Sequence, residues 1–113
     1  MNSSASTTLQ KIKELRNISN ETVQKLERDG MSITDMPTSQ LFDNNIKNIL
    51  TAIEALLRNE PSEKPIMRLD RDIPDSYSNI SKIKNTPAGR LNSTSLDKMK
   101  ELIGFLEQNY KRL

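Results

Sequence analysis

Two stretches of this chain repeat apolar residues at alternating intervals of three and four, a spacing that only an α-helix converts into one continuous face. In the first, Phe42, Ile46, Ile49, Ile53 and Leu56 form the repeat, Leu50 and Leu57 widen it, and Leu41 extends it at its start. Asp43, Asn44, Lys47, Asn48, Glu54 and Arg58 fall on the opposite, wet side, so a helix is expected from about Gln40 to Asn59. In the second, Leu96, Met99, Ile103, Leu106, Tyr110 and Leu113 keep the same interval to the last residue, with Leu102 and Phe105 beside them. That helix is expected to begin near Thr94 or Ser95, where Thr94 and Asp97 have the Ser/Thr-x-x-acid spacing of a capping box. Gly104 within it costs roughly 1 kcal/mol relative to Ala; it marks the close approach of another backbone or sits on the exposed side.

A weaker periodic segment runs from about Thr8 to Asp29. Leu9, Ile12, Leu15, Val23 and Leu26 share a stripe whose middle is filled by the small residues Ser19 and Thr22, and Ile18 lies off it. Gly30 accepts positive φ just beyond the helix end, which predicts a Schellman-type stop with Met31 returning towards Leu26. From Met31 to Ser39 the sequence reads as a connector in which Pro37 ends helical tendency and Thr38 or Ser39 caps the next helix. Residues 1–7, rich in Ser and Thr, are expected to be disordered.

Between Glu60 and Asn92, Pro61, Pro65, Pro74 and Pro87 break the pattern, and the segment 60–92 is expected to be a linker anchored by Ile66, Met67, Leu69 and Ile73. Tyr77, Ile80 and Ile83 have helical spacing, compatible with a short helix over 76–84. The expected fold class is all-α: a helical hairpin or three-helix bundle with coiled-coil character and a proline-punctuated linker.

Composition then bears on function. Apolar residues are 34% of the chain, below the roughly 45–50% of an ordinary domain, so three helices and a linker leave a thin core. The expectation is that the seams finish burying themselves on another protein or a second copy, and that Ile46, Ile49, Ile53 and Leu56 with Met99, Ile103, Leu106 and Tyr110 are partner-binding residues. The implied role is a non-enzymatic scaffold or adaptor subunit of a multiprotein complex.

The chain has no His and no Cys, which removes imidazole and thiolate chemistry, the usual triads and the usual zinc sites. Asp70, Asp72 and Asp75 cluster around Arg71, but Pro74 and Asp75 occupy positions where a calcium loop needs an acid and a glycine. The cluster therefore reads as a solvated loop, and no metal or other cofactor is expected. The three Gly residues lie too far apart for a phosphate loop. Seventeen basic and fifteen acidic residues leave a net charge of +2, too little for strong binding to a phosphate backbone.

The alternative function is a nucleic-acid-associated factor using the basic strip Lys82, Lys84, Arg90, Lys98 and Lys100, in which only Tyr77 lies near enough to stack a base. Thr86-Pro87 in the same region is the minimal pattern for a proline-directed kinase. No apolar run reaches a membrane span or a secretion signal, so a cytoplasmic or nuclear location is expected.

Overall fold

A computed structural model describes residues 3–113. The chain is all-α, and among the described residues no strand occurs. Helix α1 spans Ser3–Arg28; α2 (Met36–Ser39) passes through a π-helical segment, Gln40–Ile46, into α3 (Lys47–Leu57). Helix α4 spans Glu63–Lys84, α5 Pro87–Leu91 and α6 Ser93–Asn109, and a final 3-10 turn covers Tyr110–Arg112. The four long columns are α1, α2 through α3, α4 and α6. Helix α1 lies chiefly on α6, α6 also on α4, and α4 on α3 and the π-helical segment.

Helix α1 buries Thr8, Ile12, Leu15, Ser19, Thr22 and Leu26, a regular four-three repeat. Leu9, assigned above to that stripe, is exposed, and its neighbour Thr8 takes the inner place. The N-terminal expectation is corrected as well: Ser3–Thr7 are helical because the first turns lead directly into buried Thr8, while residues 1 and 2 lie outside the described residues. The Schellman stop forms as expected. Gly30 has φ +98°, its N–H donates to the Glu27 carbonyl (3.1 Å), and the Met31 N–H donates to the Leu26 carbonyl (2.9 Å).

Pro37 does not end the helix but begins it. Placed in the first turn of α2, its missing N–H is one of those that lack an intrahelical partner in any case. Helix α3 ends on a second Schellman arrangement, with Asn59 at φ 60° and the Glu60 N–H donating to the Ala55 carbonyl at 3.1 Å. The expected capping box at Thr94 and Asp97 is not made: Asn92 precedes α6 without a side-chain cap, and Asp97 pairs with Lys84 instead.

The largest correction concerns the linker. Glu63–Lys84 is one helix of 22 residues, and the expected short helix over 76–84 is its second half. Pro65 sits in the first turn, where no hydrogen bond is lost. Pro74 lies mid-helix on the exposed side and leaves the Asp70 carbonyl without its i+4 donor, at a cost of about 3 kcal/mol. That cost is outweighed by the burial of Leu69, Ile73, Ile80 and Ile83, each contributing roughly 1.5–3 kcal/mol. The inner stripe of α4 runs Pro65, Leu69, Asp72, Ile73, Ser76, Asn79, Ile80 and Ile83, and the polar residues within it mask its helical period.

This fourth column supplies the apolar surface that a three-helix reading lacks. The accessible surface is 6609 Å², close to the roughly 6300 Å² of a folded monomer with this mass. Across the bundle, Lys11 sits 5.6 Å from the Phe105 ring centroid, joining α1 to α6. Arg16 pairs with Glu54, joining α1 to α3. Asn92 donates through Nδ2 to Asp29 at 2.8 Å and so ties the end of α1 to the α5–α6 junction. None of the helices among the described residues is long and apolar enough to cross a membrane.

Candidate functional site

The eight residues expected to bind a partner are all inside the molecule. Ile49, Ile53, Met99, Ile103 and Leu106 have no exposed surface, and Ile46, Leu56 and Tyr110 retain at most 6%. Their assignment as free partner-binding seams is corrected, because α4 and α1 cover them. The helical period correctly identified faces that need a cover, but the cover comes from the same chain. Gly104 faces Tyr77, whose hydroxyl would lie 3.6 Å from an added Cβ, so it marks side-chain packing rather than backbone contact.

The five cations of the basic strip are spread over separate surroundings. Lys84 pairs with Asp97, Arg90 donates through Nη1 to the Asn85 carbonyl (2.9 Å), and Lys98 lies 3.9 Å from Glu101. Lys100 shares a small concavity of about 220 Å³ with Lys84 and Tyr77, while Lys82 lines a different cleft. The Thr86 hydroxyl is engaged in capping α5: it donates to the Ile83 carbonyl (2.6 Å) and accepts from the Gly89 N–H (3.0 Å).

The two tyrosines bind acids across the bundle. Tyr77 donates to Glu107 at 3.0 Å and Tyr110 donates to Asp70. Burial, reinforced by the neighbouring carboxylates, pushes both phenols up to about 12. These contacts clamp α6 against α4.

Helix α4 also separates the acidic cluster. Asp70 turns to Tyr110, Asp75 is exposed, and Asp72 points inward with 3% of its surface exposed. Among the described residues no three acidic side chains gather as a metal site would require. What gathers instead is a buried polar relay. Asn79 donates through Nδ2 to Asn45 Oδ1 at 2.8 Å, and Asn45 donates through Nδ2 to Asp72 Oδ1 at 3.1 Å. The second oxygen of Asp72, Oδ2, is buried and accepts no hydrogen bond among the described residues. Its nearest cation, Arg71, holds Nη2 at 3.6 Å, beyond hydrogen-bond reach, on a side chain that is 68% exposed.

Asn45 lies within the π-helical segment, and the inward positions run Thr38, Leu41, Asn45, Ile49 and Ala52, with Ile46 and Ile53 beside them. The relay forms the floor of a cleft of about 460 Å³. One wall is α4, with Arg71, Asp75, Ser78 and Lys82 along its rim; the other is the π-helical column, with Gln40, Asn44 and Asn48. A second, more apolar concavity of about 680 Å³ lies at the α3–α4 turn beside the exposed Met67, but no buried polar group faces it.

Sequence reasoning missed Asn45 and Asn79 and read Asp72 as solvated. The available signal was the spacing Asp72, Ser76, Asn79 in phase with Leu69, Ile73, Ile80 and Ile83. No family model matches the chain, and neither a curated protein nor a solved structure matches it.

Proposed function

We propose that the protein is a non-enzymatic adaptor, a subunit that arrives already folded and meets its partner at the polar cleft between α4 and the π-helical column. The observation that carries this reading is the pairing of a self-covered core with a cleft floored by a buried carboxylate whose second oxygen accepts no hydrogen bond among the described residues. Apolar docking through the helical seams is unavailable to a chain that has consumed them, whereas a polar, preformed concavity needs no unfolding to be used. Charge supports a local contact over a long-range one: Arg71 and Lys82 on the rim are matched by Asp72 and Asp75. The cleft therefore selects by hydrogen bonding and shape, with little electrostatic steering.

The test places bulk at the rim. Asn44 and Ser78 are exposed, so Asn44→Arg and Ser78→Arg fill the cleft while leaving the core alone. Native co-purification of the full chain is expected to lose its stoichiometric partner in both variants, with the melting curve unchanged. Retention of the partner by both would refute the reading, and Leu91→Ala, on another exposed surface, serves as the control.

A further inference from the structure

We propose that the floor of this cleft receives the guanidinium of an arginine side chain presented by a protein partner, with Asp72 as the anchoring carboxylate. The inference rests on the adaptor reading and names the group the cleft is shaped to take. A carboxylate removed from water is strongly unfavourable unless its oxygens are paired. Asn45 donates to Asp72 Oδ1, whereas Oδ2 accepts no hydrogen bond among the described residues and is met only by the Arg71 guanidinium, in an ion pair at 3.6 Å. The Asn79–Asn45 relay directs its amide dipoles so that each N–H points towards the carboxylate, which fixes the acid in place.

What Oδ2 lacks is a hydrogen-bonded donor, and its ion pair with Arg71 shows that the place suits a cation. A divalent metal is disfavoured because among the described residues no three acids converge. Between the two cationic side chains, an ammonium is compact and strongly hydrated, whereas a guanidinium sheds water more readily and offers several N–H groups in a plane. One N–H serves Asp72 Oδ2, and further acceptors stand along the same helix, Asp75 about one turn on and Ser78 nearly two. Arg71 already holds a guanidinium near Oδ2 without bonding it. Its exposed side chain can swing outward and make way for the incoming group.

The walls argue for a peptide around that arginine. Gln40, Asn44 and Asn48 each carry a donor and an acceptor, the complement of backbone N–H and C=O groups on either side of an anchor residue. Asp72 and Asp75 are already matched by Arg71 and Lys82, so the cleft has no excess acid to hold a basic tract, and the preferred segment has one arginine between neutral or acidic neighbours.

The experiment follows the side-chain amide resonances of Asn45 and Asn79 in the full chain while capped peptides are added. One peptide has a single arginine flanked by glutamate; matched peptides carry lysine or the uncharged isostere citrulline, and agmatine serves as a free small cation. The arginine peptide is expected to shift both amides, with lysine weaker, citrulline weaker by about tenfold or more, and Asp72→Asn reducing arginine affinity to a similar extent. Equal binding of arginine and citrulline, or no shift with any peptide, would overturn the proposal. So would agmatine binding as tightly as the peptide, which would make the site a receptor for free solutes. Should Asp72→Asn fail to fold, the citrulline comparison on the wild-type chain decides. If the rim variants lose the partner while the arginine peptide is silent, the adaptor reading stands and this inference falls. If the partner is retained by the rim variants, the adaptor reading falls whatever the peptides do.

Discussion

Replacing Ile103 by Ala tests whether the C-terminal seam is core or interface. Ile103 lies on α6, which packs on both α1 and α4, and none of its surface is exposed. Truncation removes its buried methyl and methylene groups and leaves a cavity that two flanking helices cannot easily close. For Ile→Ala in such a setting the loss is about 2–5 kcal/mol, a large share of the roughly 5–15 kcal/mol that holds a domain together. At this chain length each kcal/mol moves Tm by about 4 °C or somewhat more, so the variant should melt roughly 10–20 °C below wild type. Urea and thermal unfolding followed by circular dichroism measure this directly, with light scattering to record the mass. Ile53→Ala, on α3, should behave alike, while Leu91→Ala, at 74% exposure, should stay within about 0.5 kcal/mol of wild type. If Ile103→Ala and Ile53→Ala melt like the parent but change its state of association, the seams are contact surfaces and the reasoning fails.

Three further outcomes follow from the geometry. Pro74→Ala restores a donor for the Asp70 carbonyl on an exposed helical surface and should stabilise the protein by about 1–3 kcal/mol; a loss in urea denaturation would mean that α4 depends on the proline ring at that position. Gly89→Ala would set a Cβ 1.7 Å from the Ile83 carbonyl oxygen, where only backbone could yield, so a loss of about 3 kcal/mol or more is expected. Gly30→Ala, in open space at φ +98°, should lose only about 1–2 kcal/mol, and equal losses would contradict the steric account. For the tyrosines, folding raises the phenol pKa from 10.0 to about 12. Their contribution to stability is thus complete below pH 10 and is lost as pH rises through about 12. Tyrosinate absorbance should titrate near 12 in the folded chain and near 10 in denaturant, and a folded midpoint near 10 would refute the burial of these hydroxyls.

Much of the helical content was legible from spacing, and the reasons for the misses are local. Ile46, Ile49, Ile53, Leu56, Met99, Ile103 and Leu106 occupy the inward positions their intervals imply, yet a periodic face reports only that something covers it. The cover, α4, was obscured because Pro65 and Pro74 were read as breakers without regard to position, one in a first turn and the other on an exposed side. The candidate site was less legible still. Asp72 and Asn79 sit on a stripe whose apolar members are only Leu69, Ile73, Ile80 and Ile83, and Asn45, although in step with Leu41, Ile49 and Ala52, is a polar residue on an otherwise apolar face.

The attachment of α1 to α6, with little contact to α3, also orders events during synthesis. Helix α1 finds its main neighbour only when α6 emerges, after α2 to α5 have been made. Until then Ile12, Leu15 and Leu26 face water, and the nascent middle helices can gather without them. A chaperone acting on this protein would meet its target on α1, and truncation before α6 would leave α1 without its main neighbour.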